Sequence, residues 1–342
     1  MQTDPLNSPR WPRAGKGGFN ETWYVVASDP RAAHGLWVRY AVDLDARGAP
    51  TFALWGTWFE EGRTFALRNV LPAAAIGRSG IAFGPGELTP DSCSGEVEGG
   101  GHSLRWRLKF GQGAPGEWLV PGWLRPAAKL RGGGFGLFHP ATTVTGAVEV
   151  DGRIVDLQRM PAGQAHIWGR TRYPSWAWGR CNAFAEDPDA SIDLLDIAGP
   201  GGVRVPIIIF RFRGEVHRFG DLPWIALSSS QVAAPSWHFS AADARLSIEG
   251  VVRVAPSRMV QVQYADPDGS VHHCVNSEVA DMEVKVRSRA FPGAPWRPEA
   301  TLTCKSGACL EFCGHVPDPR VGNMLVDGAQ QKGVGRAGSV AS

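Results

Sequence analysis

The stretch LRWRLKF, residues 104–110, alternates strictly between apolar and basic side chains. Because successive side chains of a β-strand point to opposite faces, one face of this segment is apolar and the other is charged. This pattern is typical of an antiparallel strand with one face buried and the other in water. The same alternation recurs at 38–44, 210–213, 245–254 and 260–264.

Gly- and Pro-rich breaks separate these segments. The chain has 43 Gly and 26 Pro among 342 residues, about a fifth of all positions against a usual share of about 12%. The break DPDGS, 266–270, has the composition of a hairpin turn. Only LPAAAI (71–76) and SAADA (240–244) suggest short helical turns, and no window carries a sustained helical stripe. The sequence therefore predicts an all-β protein built of antiparallel meanders, with few short helices.

The length predicts two domains, because a single hydrophobic core rarely serves more than about 250–300 residues. Meanders close into barrels because closure removes strand edges that would pair with other chains. We expect two consecutive antiparallel β-barrels, at 1–160 and 161–326. The last segment, 327–342, is rich in Gly, Ser and Ala without apolar anchors, which predicts a flexible tail.

Charge and hydropathy disfavour two classes of partner. The 35 basic and 33 acidic residues leave a formal net charge of +2, too small a field to favour nucleic acid. The polar start MQTDPLNSPRW lacks the apolar stretch of a secretion signal, and no run approaches the roughly 18 apolar residues of a spanning helix. We therefore expect a cytoplasmic protein without an integral membrane segment.

The six cysteines predict neither disulfides nor a metal site. Without a secretion signal, disulfides are not expected. The late run CKSGACLEFCGH, 304–315, has the spacing C-x4-C-x3-C-x-H, which lacks the C-x2-C pairs that bring two thiolates to one zinc ion. The Gly-rich LRGGGFG, 130–136, is not completed by G-K-[ST] as in a phosphate-binding loop, and the sequence predicts no cofactor.

The stretch HIWGRTRYPSWAWGRCNAF, 166–184, concentrates aromatic and polar side chains. If its second half is a strand, Trp176, Trp178, Arg180 and Asn182 share one face, and the opposite face carries only small residues. Indoles with a guanidinium and a carboxamide resemble the lining of a small-molecule site. Alternatively, Trp168 and Trp176 plug a barrel end as plain core, and His166 is only a hydrogen-bond partner.

This stretch also resembles a known motif. His166, Trp168, Gly169, Trp176, Trp178, Cys181, Asn182 and Phe184 are similar to the motif that opens the second half of tocopherol cyclase-like and carotenoid 1,2-hydratase-like proteins. Those families are lipocalin-like double β-barrels related to barrel Diels-Alderases. ETWY, with Glu21, Trp23 and Tyr24, resembles the opening of their first barrel, and LEFCGHVPDPRVG, 310–322, resembles their closing strand.

The resemblance implies a lipophilic isoprenoid or polyketide substrate, general acid protonation of an alkene or folding of the substrate, and no redox cofactor. It assigns catalytic roles to His166 and to Asp196, which falls about where hydratases place an acid. Ala165 and Leu195 depart from the hydratase pattern, which has an Asp before the His and an aromatic residue before the acid.

An acid that protonates an alkene must stay neutral near pH 7, which requires burial. Asp196, between Leu195 and Ile197, can meet this condition, or it can only cap the turn before AGPGG. Glu21 is a second candidate acid, in the other barrel.

Two functional hypotheses follow, with a third, purely structural interpretation beside them. The first is a cofactor-independent cyclase, hydratase or pericyclase with His166, Asp196 and Glu21 as catalytic residues. Its substrate-binding residues would be Trp23, Tyr24, Trp168, Trp176, Trp178, Arg180 and Asn182. The second is a non-catalytic, lipocalin-like carrier of a small apolar ligand, which needs the same cavity and no buried acid. In the third, the Trp clusters are plain core.

Overall fold

A computed structural model describes residues 5–77, 80–130, 132–199, 203–266 and 268–328. Within these ranges the chain forms 23 strands, one α-helix and three short 3-10 helices. The α-helix, α1, spans Arg125–Leu130, and the 3-10 helices span Trp11–Arg13, Trp224–Leu227 and Pro256–Arg258.

Twelve strands precede residue 170. They are β1 (Phe19–Asp29), β2 (His34–Leu44), β3 (Pro50–Phe59), β4 (Phe65–Leu71), β5 (Ala74–Ile76), β6 (Ile81–Phe83), β7 (Gly86–Leu88), β8 (Ser92–Gly99), β9 (His102–Phe110), β10 (Glu117–Trp118), β11 (Gly134–Val150) and β12 (Arg153–Gly169). Eleven strands follow: β13 (Trp176–Cys181), β14 (Ser191–Ala198), β15 (Arg204–Phe212), β16 (Glu215–Arg218), β17 (Ser229–Ala233), β18 (Ser236–Ala242), β19 (Leu246–Arg253), β20 (Val260–Ala265), β21 (Val271–Ser288), β22 (Arg297–Gly314) and β23 (Asn323–Asp327).

The strands form two antiparallel barrels in succession, which confirms the predicted fold class. In the first, the order of neighbours is β4, β3, β2, β1, β12, β11, β9, β8, β7, β6 and β5, and β4 lies beside β8 where the circle closes. In the second, the order is β17, β18, β19, β21, β22, β13, β14, β15 and β16, with β20 on the first part of β21.

The segment LRWRLKF, 104–110, folds as its alternation predicts. In β9, Leu104, Trp106 and Leu108 are buried, whereas the basic side chains between them are exposed. Trp106 lies deep in the first barrel, where its Nε1 donates a hydrogen bond to Tyr40 Oη at 3.0 Å. The period of two therefore identified the buried face of this strand.

The predicted boundary at residue 160 falls inside β12, which pairs with β1 as far as Gly169. The second sheet begins at Trp176. Because 161–169 hydrogen-bond to the first barrel, we propose a domain boundary within 170–175. Of the proposed tail, 327–342, positions 329–342 lie outside the described residues, and Asp327 still belongs to β23.

Three apolar clusters form the core. Two fill the barrel interiors, with Trp23 and Trp106 in the first and Phe210 and Trp237 in the second. The third lies between the barrels and joins Tyr24, Trp37 and Trp55 of the first barrel to Trp178 and Tyr264 of the second.

β1 shows how this intermediate layer arises. Trp23 and Val25 point into the first barrel, and Tyr24 and Val26 point out of it toward the second. Both faces of the strand are therefore buried, which explains why its burial does not alternate with its side-chain direction.

The last strand, β23, links the two barrels. β23 pairs in parallel with β20 of the second barrel and with β4 of the first.

Cys274 and Cys313 lie opposite each other on β21 and β22 and form a disulfide. The expectation of no disulfide is therefore wrong for this pair, because the strand register that brings the two thiols together is a long-range feature.

No helix within the described ranges is long and apolar enough to cross a membrane. Across the same ranges, no group of three or more His, Cys, Asp and Glu side chains is placed to hold a metal ion.

We expect Gly95→Ala to destabilise the first barrel. A Cβ on Gly95 would collide with the Trp106 ring and lie 2.9 Å from Leu54 Cδ2. Overpacking of this kind costs about 1–3 kcal/mol of unfolding free energy, measurable by urea denaturation. Gly322→Ala is the matched control, because its added Cβ meets no atom within 4 Å. Equal effects of the two substitutions would contradict this packing.

Candidate functional site

A cleft of about 160 Å³ lies between the two barrels. The first barrel contributes Asn20, Thr22 and Tyr24 from β1 and Trp37 and Arg39 from β2. The second contributes Trp176 and Trp178 from β13, Leu195 and Ile197 from β14, Tyr264 from β20 and Glu311 from β22. The site thus belongs to neither barrel alone.

Eight aromatic side chains line the cleft. Tyr24 and Trp178 meet edge to face with ring centres 5.4 Å apart, which joins the two barrels directly. Trp176 stacks on Tyr264 at 6.4 Å with 14° between the ring planes. Such contacts hold flat, rigid apolar surfaces in place, as a site for an apolar ligand requires.

Glu311 supplies a carboxyl group to this apolar surface. Its Oε1 accepts a 2.6 Å hydrogen bond from Trp176 Nε1. Burial raises the pKa of Glu311, and the Trp176 hydrogen bond and the positive charge of Arg39 oppose that rise. A buried carboxyl with a raised pKa can hold and donate a proton.

Glu311 is not among the site residues predicted from the sequence. Its single carboxylate between Leu310 and Phe312, in the segment that resembles the family's closing strand, was a usable signal. The register pairs Glu311 with Trp178, so both residues reach the same side of the second barrel.

Asp196 lies on the opposite side of β14 from the cleft. Leu195 and Ile197 line the cleft, and Ile192 and Leu194 belong to the core of the second barrel. Asp196 is fully buried, and its Oδ1 accepts a 2.6 Å hydrogen bond from Arg204 Nε. The burial that the sequence suggested is present, but the carboxyl is paired with an arginine and turned away from the cleft.

Glu21 and His166 form a buried pair on the inner side of the first barrel. Glu21 Oε1 lies 2.7 Å from His166 Nε2, and both side chains are fully buried. The Glu21 carboxylate also accepts hydrogen bonds from the backbone N–H groups of Arg10 (2.8 Å) and Trp11 (2.7 Å). His166 Nδ1 contacts the Leu6 carbonyl oxygen at 2.9 Å.

The surroundings of this pair indicate an anchor for the N-terminal segment. Trp23 stacks on the His166 ring at 4.3 Å and donates from Nε1 to the Asn7 carbonyl. Burial lowers the pKa of His166, and Glu21 opposes that change. Neither Glu21 nor His166 lines the cleft.

The predicted substrate-binding residues divide into two groups. Tyr24, Trp168, Trp176 and Trp178 line the cleft. Trp23, Arg180 and Asn182 do not, and the last two serve the junction between the barrels instead.

The junction contacts of Arg180 and Asn182 are hydrogen bonds to backbone carbonyls of the first barrel. Asn182 Nδ2 donates to Thr142 at 3.0 Å and to Ala162 at 3.1 Å. Arg180 Nη2 donates to Pro140 and to Ala162. These bonds tie the strand that carries Trp176 and Trp178 to β11 and β12.

Buried acids also lie near Arg180. Glu278, in the irregular part of β21, is fully buried beside Asn276 and Cys309, and neither of its oxygens makes a hydrogen bond of normal geometry. Burial raises the pKa of Glu278 to about 8. Burial also raises the pKa of Asp193 to about 6, although Arg180 opposes this rise.

The model of the tocopherol cyclase-like family matches residues 134–312, more than half of the chain. The match includes the Trp-rich stretch 166–184 and Glu311, and it confirms the resemblance inferred from the motif. A relative, "Uncharacterized protein Rv0493c" of Mycobacterium tuberculosis (strain ATCC 25618 / H37Rv), is 28% identical over 298 residues, which is 82% of this chain and 84% of the relative.

Solved structures share the fold. CghA matches with a TM-score of 0.55 at 11% identity, covering 92% of this chain and 94% of that chain. CghA with Sch210972 matches with a TM-score of 0.52 at 10% identity, over 88% and 89% of the two chains. NE1406 of Nitrosomonas europaea, a candidate AttH, matches with a TM-score of 0.53 at 12% identity, over 92% and 99%.

The anchor role of Glu21 is testable with Glu21→Gln. The N-terminal segment then loses a carboxylate acceptor for two backbone N–H groups, and a hydrogen bond to a charged group contributes about 1.5–3 kcal/mol. We expect a lower unfolding free energy and faster tryptic cleavage after Arg10 and Arg13, with ligand binding in the cleft retained. Glu61→Gln, an exposed change, is the control. Unchanged proteolysis would argue against the anchor.

Glu278 predicts a pH-dependent stability. Its folded-state pKa of about 8 lies above the ordinary value of 4.5. Between these two pH values, the folded chain therefore holds a proton that the unfolded chain has released. The neutral carboxyl therefore makes its full contribution to the unfolding free energy below the unfolded-state pKa. This contribution is lost as the pH rises through the folded-state pKa.

Between about pH 4 and pH 9, we expect the unfolding free energy of Glu278→Gln to rise relative to that of the unmodified protein by on the order of 5 kcal/mol. Urea denaturation across this range measures the difference. Glu283→Gln, on the same strand with a side chain 45% exposed, should show no such trend. A flat difference for Glu278→Gln would show that the carboxyl ionises normally.

Proposed function

Because this chain belongs to the tocopherol cyclase-like family, we propose that it is a cofactor-independent cyclase or related lyase or isomerase. Its substrate would be a small lipophilic isoprenoid or polyketide bound in the cytoplasm. The reaction would take place in the cleft between the barrels, and not inside either barrel. The observation that supports this proposal most is Glu311, a buried carboxyl with a raised pKa in an aromatic wall.

Binding and folding of the substrate are the first contribution of the cleft. Tyr24, Trp176 and Trp178 present flat apolar faces from both barrels, so a flexible polyene is held in a bent conformation as it fills the space between them. Holding reacting carbons together in this way removes much of the entropic part of the barrier.

Proton transfer from Glu311 is the second contribution. The π electrons of one substrate double bond take the carboxyl proton and form a C–H bond, which leaves a cation on the neighbouring carbon and a carboxylate on Glu311. The faces of the surrounding indoles stabilise this cation. A second double bond then attacks it and closes a ring, or water adds to it, and the proton finally lost from the product returns to Glu311.

Trp176 is a positioning residue in this scheme. Its Nε1 hydrogen bond holds Glu311 Oε1 in a fixed direction and stabilises the carboxylate that forms after proton transfer.

A carrier is the second candidate function. The positions of Glu21, His166 and Asp196 favour it, because none of these predicted catalytic residues lines the cleft and a carrier needs no catalytic group there. A carrier and a pericyclase both require the cleft, and neither requires a proton from Glu311.

Incubation with geraniol, farnesol and geranylgeraniol in D2O separates these functions. Protonation followed by cyclisation adds one deuteron to the product, hydration adds the elements of D2O, and carriage returns each alcohol unchanged. We expect a deuterated product by mass spectrometry, with a rate that falls as the pH rises through the pKa of Glu311, because only the protonated acid reacts.

Glu311→Gln should reduce this rate by about 100-fold or more, because general acid catalysis contributes about that much. Glu21→Gln is the matched control, since it also replaces a buried glutamate but lies off the cleft. Full activity of Glu311→Gln would exclude it as the acid, and bound but unchanged alcohols would favour the carrier.

A further inference from the structure

Arg39 is a buried cation at the wall of the cleft. It lies on β2 and is only 7% exposed. Its guanidinium carbon lies 4.5 Å from the ring centre of Tyr264 and 4.7 Å from that of Trp55. Contacts with aromatic faces stabilise the flat sides of a guanidinium, but they leave its in-plane N–H groups to find acceptors elsewhere.

Those N–H groups are incompletely paired. Nη2 donates to Thr22 Oγ1 at 3.2 Å, whereas Nη1 is buried with no hydrogen-bond partner. Within the described part of the chain, no carboxylate lies within 4.0 Å of Arg39. A buried guanidinium without a salt-bridge partner is costly to the fold, which makes Arg39 a candidate for binding an anion.

Arg172 shows the contrast, because it also lines the cleft and stacks on Tyr264, at 5.1 Å. Its guanidinium pairs with Asp266 and, at 3.4 Å, with Asp43. The charge of Arg172 is therefore neutralised by the protein, whereas that of Arg39 is not.

A second donor of the cleft wall is also unpaired. Trp178 Nε1 is buried without an acceptor, although the indole of Trp176 beside it has Glu311 as its partner. Trp178, like Arg39, is therefore a cleft-lining residue with a buried N–H that has no acceptor within the described structure.

Resting on the proposed function, we infer that the substrate carries an anionic oxygen group, a carboxylate or an enolate, which binds Arg39 while its apolar part contacts the aromatic wall. The unpaired N–H of Trp178 provides a second donor to the same ligand. An anion bound here also disfavours a second negative charge in the cleft, so it helps Glu311 to remain protonated.

Isothermal titration calorimetry near neutral pH tests this inference with geranate and its neutral methyl ester. We expect geranate to bind about tenfold more tightly or better, since charge-assisted hydrogen bonds in a buried site exceed neutral ones. Dimedone, compared with its methyl enol ether, is the enolate arm. A preference confined to one pair identifies whether the head group is a carboxylate or an enolate.

Arg39→Met should remove the preference for the anion and leave binding of the ester unchanged. Arg68→Met is the matched control, because Arg68 stacks on the same Trp55 ring at 5.1 Å but pairs with Asp327 and lies off the cleft. Thermal melting of each variant verifies its fold.

Three results would overturn the inference: equal affinities for anion and neutral analogue, no measurable binding of either anion, or a preference that survives Arg39→Met. If Arg39→Met does not fold, the affinities of the unmodified protein for each anion and its neutral analogue still test the inference. A preference for the anion without turnover in D2O would leave the inference standing and remove the catalytic role. Turnover without that preference would support the catalytic role and overturn the inference.

Discussion

The packing of one barrel's outer surface against the other is the constraint on which this molecule depends. Strands β1 and β13 are buried on both faces, because one face fills a barrel and the other joins the layer between the barrels. Large rings such as Tyr24 and Trp178 pack against each other in this layer. The cleft is the part of the layer that the rings leave open.

Polar groups within this layer fall into two kinds. Arg180 and Asn182 donate to backbone carbonyls of the first barrel, so their burial is offset by hydrogen bonds and they stabilise the junction. Arg39 has an unpaired N–H, and Glu311 has a raised pKa. Such incompletely satisfied groups cost stability, and those at the wall of a cleft are candidates for binding a ligand or transferring a proton.

The candidate site was only partly predictable from the sequence. Among the residues that the Trp-rich stretch contributes to the cleft are Trp168, Trp176 and Trp178, which the motif singled out. The acids were harder to identify. Glu21 and Asp196 are buried as an acid catalyst should be, but each already has a partner, His166 and Arg204, on the side of its strand away from the cleft.

The sequence by itself determined the all-β class, the two barrels and the family, because alternation, turn composition and a motif are local properties of the chain. Only the tertiary structure decided that the cleft lies between the barrels and that Glu311 and Arg39 belong to its wall. A period of two shows that a strand has two different faces, but it does not show which face turns inward. That choice depends on closure of each sheet and on docking of the second barrel against the first, which bring Arg39 and Glu311 together across 272 positions of the chain.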